Sequence, residues 1–247
     1  LEAARVAAER GHSVTLYEKK GSVGGLLEFA NNVKGPHENL SVLRSYFERQ
    51  MEVLGVNVML NTEATADIIA EASPDIVIAA TGGVRDTLGL SDTAGTKVVG
   101  IDDFMMADIA EEVVIVGSNV QAIDAAMYLL AQGKHVQVVT PNAASAIGAG
   151  HSFWVKTFTQ PNMKALGVRF WPEATVTAVN DGSVTVKTAT GIEQEIACGT
   201  VVEALDYLPN DNLSTGLSCE VVTVGDAARP FNIGEAICSG NAAARAI

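Results

Sequence analysis

Apolar positions along this chain follow two periods, and their order predicts the architecture. Helical spacing of apolar or small residues predicts helices over 1–10, 40–54, 66–72, 120–131 and 233–247. Continuous or alternating apolar runs predict strands at 13–17, 56–60, 76–81, 97–100, 113–117, 135–139, 200–205 and 220–224. Because strands and helices alternate, we expect parallel sheets with ligands bound beyond the carboxyl ends of the strands.

The chain opens on a helix and a strand that are typical of the second half of a dinucleotide-binding βαβ unit. Small residues from Leu1 lead to a glycine stop at Gly11 and then to a β-branched strand that runs into Glu18. In such a unit an acid about 20 residues after the glycine turn accepts the ribose hydroxyls. Glu18 has this spacing if the last glycine lies just before Leu1, so we expect a fragment whose first strand is missing. The alternative is an ordinary αβ hairpin with an exposed acid.

A glycine-rich segment follows Glu18 and Lys19, which we take as candidate cofactor-binding residues. Residues 21–32 are predicted as a loop, and Gly24 and Gly25 allow the backbone to pass close to a ligand. A loop of this kind directly after the acid is a candidate lining for a ribose and a phosphate.

Two later strands end in residues that also point to a ligand. The strand 76–81 runs through Ala80 and Thr81 into Gly82, and the strand 220–224 ends at Gly225 and Asp226 just before the last helix. A carboxylate and free N–H groups therefore meet at one place. By itself Asp226 could equally be a turn or cap residue.

A second strand, turn, helix and strand unit begins at residue 113, and here the unit is complete. Its turn reads Gly117-Ser118-Asn119, with Ala122 at the position of the third glycine. Asn119 replaces the glycine that lets the backbone approach pyrophosphate, and Thr140 stands where an acid would accept the ribose hydroxyls. The sequence therefore predicts a weakened nicotinamide site, with productive binding and loss of binding both open.

The remaining pattern completes a domain plan. We predict a helix over 152–166 interrupted by Pro161, and a β-meander over 174–197 whose hairpin signal is the Asn-Asp-Gly at 180–182. The plan is an α/β chain with two Rossmann-like domains with parallel sheets, the second inserted in the first. The boundaries are 1–108 with 206–247 for an FAD- or ADP-binding domain, and 109–205 for an NAD(P)-binding-like domain.

The net charge and the cysteine spacing restrict the kinds of partner and site that we expect. The 247 residues carry a net charge of −13, which argues against nucleic acid or an anionic membrane as partner. Backbone N–H groups can still bind a phosphorylated ligand. Cys198, Cys219 and Cys238 are widely spaced, so we expect neither a zinc ribbon nor a redox-active pair. A cytoplasmic protein is the default expectation, and a homo-oligomer is an open alternative to a monomer.

In order and spacing these segments resemble one known group of proteins. It is the FAD/NAD(P)-binding half of the 2,4-dienoyl-CoA reductase, 2-enoate reductase and trimethylamine dehydrogenase flavoprotein family. The resemblance implies that Glu18 holds the adenosine ribose and that Ala64, Thr81 and Gly82 lie near the adenine and phosphate side. It implies that Asp226 meets the ribityl chain of the flavin.

The resemblance also implies an upstream half that carries an FMN-bearing barrel and a 4Fe-4S cluster. This chain would then pass electrons from NAD(P)H to FAD and onward, while substrate reduction or amine oxidation lies outside it. Trimethylamine dehydrogenase keeps only ADP in the first site and does not use NAD(P)H. The turn with Asn119, the residue Thr140 and the sequence Gln160-Pro161-Asn162-Met163 lean toward that branch, so both alternatives stay open.

Overall fold

A computed structural model of the chain describes residues 1–35, 39–214 and 217–247. These residues form two compact units, the first being Leu1–Arg85 with Tyr207–Ile247 and the second Asp86–Asp206. The sequence put the first boundary at residue 108. In the structure residues 86–108 lie in the second unit, because a strand over Lys97–Gly100 pairs with one over Thr200–Glu203.

Helices and strands alternate through much of both units. The first unit begins with α1 (Glu2–Glu9), β1 (Thr15–Tyr17), α2 (Leu26–Lys34), α3 (Leu40–Val53), β2 (Asn57–Met59), α4 (Ala66–Ala72), β3 (Ile76–Ala79) and β4 (Val84–Arg85). The second unit contains β5 (Lys97–Gly100), β6 (Glu112–Val116), α5 (Val120–Ala131), β7 (His135–Val139), α6 (Phe153–Ala165), β8 (Arg169–Trp171), β9 (Ala174–Asn180), β10 (Ser183–Thr188), β11 (Glu193–Ala197) and β12 (Thr200–Glu203). The first unit ends with β13 (Tyr207–Leu208), β14 (Glu220–Thr223) and α7 (Ile233–Ala246).

The first unit is built on two parallel strand pairs, β1 with β2 and β3 with β14, and an antiparallel pair, β4 with β13. Small residues let α1 pack closely on α7: Ala3 and Ala7 share a buried cluster with Ala244. A Cβ added at Gly240 would lie 3.4 Å from the backbone nitrogen of Ala3. The small-residue pattern of both helices thus allows them to approach closely.

The second unit has a parallel sheet in the order β5-β12-β6-β7-β8 and an antiparallel meander in the order β11-β10-β9. Val114, Val116 and Val201 from the sheet form one core cluster with Val184 and Val186 from the meander. From β6 the chain adds strands β7 and β8 on one side, while β12 lies on the other side, so the strand order reverses between β6 and β12. In doubly wound folds this is the point at which ligands bind, beyond the carboxyl ends of the strands.

The mixed α/β class with parallel sheets and a small meander is confirmed, but two local predictions were wrong. Residues 26–34 form α2 rather than a loop, since Leu27 and Val33 are buried. Its start was missed because the N-cap residue Gly25 makes no side-chain cap bond. Pro161 lies inside a continuous α6, because a proline removes one intrahelical donor and the rest of the ladder persists. None of the helices in the described ranges is long and apolar enough to cross a bilayer.

Candidate functional site

Glu18 follows the carboxyl end of β1 and is held by its neighbours. Its N–H donates to the carbonyl of Met59 at 2.9 Å, and its own carbonyl accepts from the N–H of Thr62 at 2.9 Å. The side chain is half-buried, and its Oε1 accepts the N–H of Lys20 at 2.8 Å. A carboxylate has about four lone-pair sites, so it can still accept two ribose hydroxyls.

The glycine segment after Glu18 takes backbone conformations that suit glycine. Gly24 has φ +114° and Gly25 has φ +52°, and both lie in the left-handed region. A Cβ at Gly25 would meet no atom within 4 Å, so space is open there. At Gly24 a Cβ would lie 3.1 Å from Cδ of Arg44, a residue the sequence did not single out. Lys19 is exposed at the start of the segment.

The other candidates of the first unit lie beyond further strand ends. Ala64 is half-buried between β2 and α4, while Ala80 is exposed just after β3. The hydroxyl of Thr81 donates to the carbonyl of Asn210 at 3.1 Å. Gly82, with φ +74°, lets the chain turn away toward β4.

Gly225 and Asp226 link β14 to α7. Gly225 has φ +60°, and its N–H donates to the hydroxyl of Ser239 at 3.0 Å. Oδ1 of Asp226 accepts the N–H of Phe231 at 3.2 Å, and the residue is half-buried. The carboxylate therefore orders the turn into α7, which Asn232 caps by accepting the N–H of Glu235 at 3.0 Å.

In the second unit Gly117 cannot be replaced without distortion. Its φ is +137°, and a Cβ added there would lie 2.1 Å from the carbonyl oxygen of Ala204. Val116 and Ala204 lie at the ends of neighbouring strands, so the turn passes directly over the point where the strand order reverses. The first glycine of the motif is thus required by close backbone approach.

Both polar atoms of the Asn119 side chain form hydrogen-bond contacts at this turn. Its Oδ1 caps α5 by accepting the N–H of Ala122 at 2.9 Å. Its Nδ2 lies 3.0 Å from the carbonyl oxygen of Ala204, 3.2 Å from that of Leu205 and 3.0 Å from Oδ1 of Asp206. The carboxamide therefore takes up one N–H group at the start of α5 and occupies space beside the turn, where the motif normally has no side chain.

A closed neutral network stands where a ribose-binding acid would be. Thr140 is fully buried, and its hydroxyl donates to Oγ of Ser118 at 3.0 Å. The amide of Asn142 donates to the same Ser118 oxygen at 3.1 Å. The structure thus brings Ser118 and Thr140 together and adds Asn142, which the sequence missed because it lies in an exposed loop with no motif.

The loop 141–151 runs beside the turn. The N–H of Gly148 donates to the carbonyl of Ser118 at 2.6 Å, and Ala149 forms an isolated β-bridge with Asn119. His151 ends this loop with its Nε2 3.4 Å from Oδ1 of Asp124 on α5, and both side chains are at most 7% exposed. The side chain of His151 is therefore buried against α5.

Cysteines and potential metal-ligating side chains are spread over the residues that the structure describes. Those residues contain no group of three or more His, Cys, Asp or Glu side chains that could hold a metal ion. The three cysteines are free thiols, and Cys198 is buried. Burial raises the pKa of the Cys198 thiol to about 11, so it stays protonated near neutral pH.

Comparison with known proteins identifies the relatives of this chain. The model of the family described as pyridine nucleotide-disulphide oxidoreductase matches residues 1–227. Cinnamate reductase from Clostridium sporogenes is 30% identical over 260 residues, which cover 100% of this chain and 37% of that protein. NADH oxidase from Thermoanaerobacter brockii is 30% identical over 97% of this chain and 38% of its own length. The chain therefore spans less than two fifths of these relatives.

A solved structure has the same fold across nearly all of the chain. The structure of 2-naphthoyl-CoA reductase in complex with 2-naphthoyl-CoA superposes with a TM-score of 0.82 at 31% identity. The match covers 97% of this chain and 37% of the other. The resemblance seen in the sequence is confirmed.

Proposed function

Because the chain belongs to the pyridine nucleotide-disulphide oxidoreductase family, we propose that it is the nucleotide-binding and electron-transferring part of a flavin-dependent oxidoreductase. The observation that carries the proposal is the position of the Glu18 carboxylate at the end of β1. Its Oε1 accepts a hydrogen bond from the N–H of Lys20 at 2.8 Å. That position is where a dinucleotide fold accepts the ribose hydroxyls.

The residues of the first unit fit FAD, or its ADP portion. Glu18 would accept hydroxyls of the adenosine ribose, and the open space at Gly25 would let the backbone approach a phosphate. Gly82 and Gly225 lie beyond β3 and β14, the second parallel pair. Asp226 would face the ribityl hydroxyls. When bound, FAD would supply the two-electron chemistry that these side chains lack.

The second unit is proposed as the nicotinamide site, with Gly117 and Ser118 forming the turn beneath the pyrophosphate. The carboxamide of Asn119 would have to leave the N–H of Ala122 before a phosphate could use that donor. Thr140 offers no charge to a ribose hydroxyl. A specific observation therefore supports a second candidate function, in which the chain holds ADP or FAD for structure and does not react with NAD(P)H.

The wider assignments follow the relatives. Since the chain spans only 37% and 38% of the first two, we propose that an FMN-bearing barrel with a 4Fe-4S cluster lies in the same polypeptide and receives the electrons. Reduction of an unsaturated substrate or oxidation of an amine would then take place there. The proposal also includes a cytoplasmic location and a homo-oligomer.

Two measurements on the full-length protein separate the candidates. Mass analysis of nucleotide released by denaturation distinguishes FAD from ADP in the first unit. Anaerobic addition of NADH or NADPH should bleach the yellow flavin absorbance if electrons pass through this chain. Released ADP together with no bleaching would favour the structural role, and release of no nucleotide at all would contradict both candidates.

A further inference from the structure

An arginine on α3 lies against the glycine segment that follows Glu18. The stem of Arg44 contacts Gly24, since a Cβ built there would lie 3.1 Å from Cδ and 3.2 Å from Cγ of the arginine. The Nε of Arg44 is buried and has no hydrogen-bond partner. Arg44 forms an ion pair with Glu48, with Nε 3.5 Å from Oε1, but the two atoms do not form a hydrogen bond.

Two other arginines of the same unit, Arg5 and Arg49, donate hydrogen bonds to acids. Arg5 donates to Glu2 at 2.8 Å and to Glu9 at 2.6 Å. Arg49, which follows Arg44 on α3, donates to Glu52 at 2.8 Å. A buried donor without a partner costs about 1–3 kcal/mol, so the Nε of Arg44 requires an explanation. Its side chain is 34% exposed, so part of the residue is open to solvent.

The negative net charge of the chain means that a positively charged side chain at the site would favour binding of an anionic ligand. With a net charge of −13, the protein as a whole repels a diphosphate, and a cation beside the binding site would offset part of that repulsion. Glu18, at the other end of the same segment, adds a negative charge close to the proposed site. Arginine presents five N–H donors in a fixed fork that matches phosphate oxygens.

We propose that Arg44 binds the pyrophosphate of the nucleotide whose ribose Glu18 accepts. This inference rests on the proposed function of the first unit and names the residue that supplies its positive charge. In this arrangement Gly24 lacks a side chain so that the arginine stem can lie against the backbone. The N–H groups of the segment and the guanidinium then face the same phosphates.

The test compares two arginines of one helix in the full-length protein freed of nucleotide. Arg44→Met keeps an unbranched stem over Gly24 and removes the charge. Arg49→Met removes an exposed arginine of α3 that is paired with Glu52 and serves as the matched control. Calorimetric titrations with ADP and with adenosine separate phosphate binding from binding of the nucleoside.

We expect Arg44→Met to weaken ADP binding about tenfold or more, as loss of a charge-assisted hydrogen bond implies, with adenosine binding unchanged. Arg49→Met should bind both like the parent protein. Equal losses for ADP and adenosine would mean that Arg44 only packs on Gly24, and would overturn the inference. So would unchanged ADP binding. If the parent protein binds neither ADP nor adenosine, the proposed function itself is wrong. The titration of the parent protein alone shows this, so the two failures can be told apart.

Discussion

Replacing Asn119 tests whether the second turn is occupied by the protein itself. The carboxamide accepts one N–H, from Ala122 at 2.9 Å, and directs Nδ2 at three oxygens within 3.2 Å. Nδ2 carries two hydrogens, so it donates at most two full hydrogen bonds at once. Three bonds at about 1 kcal/mol each give a loss of about 3 kcal/mol in the free energy of unfolding for Asn119→Ala.

Asn119→Gly should cost less, about 2 kcal/mol, because glycine at an N-cap is only a few tenths of a kcal/mol worse than asparagine. It should also bind NADH more tightly than the parent protein, since space for the pyrophosphate opens. Urea unfolding and NADH titration measure the two effects. Gln132→Ala, at the exposed far end of α5, is the matched control.

Two results would refute this reasoning. A loss below about 0.5 kcal/mol in Asn119→Ala, no larger than that of a typical surface substitution such as Gln132→Ala, would mean that the carboxamide is not bound as the structure has it. Unchanged NADH affinity in Asn119→Gly, with the expected loss of stability, would mean that the second unit lacks nicotinamide binding for reasons beyond this residue.

Three further predictions follow from single contacts. Gly117→Ala should destabilise the second unit by at least ~3 kcal/mol in urea unfolding, because its Cβ would strike backbone at 2.1 Å; a fully stable variant would contradict the close approach. Iodoacetamide near pH 8 should label exposed Cys238 well before Cys198, whose pKa burial raises to about 11, and equal labelling by mass spectrometry would contradict this. A hydrogen bond to Glu112 raises the pKa of His135. His135→Ala should therefore lower the free energy of unfolding below about pH 6 and have no effect once the pH rises above the folded-state pKa. A destabilisation that grows with increasing pH would contradict this assignment.

The sequence predicted those parts of the fold in which apolar residues recur with a helical or strand periodicity. The αβ hairpin that ends at Glu18 and the complete unit that begins at Val113 were visible because apolar spacing alone fixes them. The structure divides the chain after Arg85 and not at residue 108, because β5 is a short edge strand whose partner, β12, lies about 100 residues further along the chain. Local periodicity contains no information about such a pairing.

The candidate site residues also fall into two groups: those that a sequence motif revealed, and those whose contacts depend on the tertiary structure. The replacement of glycine by Asn119 was visible in the motif, but its contacts with Ala204 and Asp206 depend on where β12 ends. The burial of His151 against Asp124 likewise depends on the course of the loop 141–151. Arg44 carried no signal, since an arginine on an amphipathic helix usually faces solvent.

The most direct test of the central claim measures what Glu18 recognises. The full-length protein freed of nucleotide is titrated with ADP and with its 2′,3′-dideoxy analogue, alongside Glu18→Ala and a control, Glu28→Ala, at an exposed acid of α2. If Glu18 accepts the ribose hydroxyls, Glu18→Ala binds ADP about tenfold to a hundredfold more weakly and binds the dideoxy analogue like the parent protein. Equal ADP affinity in the parent protein and in Glu18→Ala would contradict the assignment of the first unit as a dinucleotide site built on this residue.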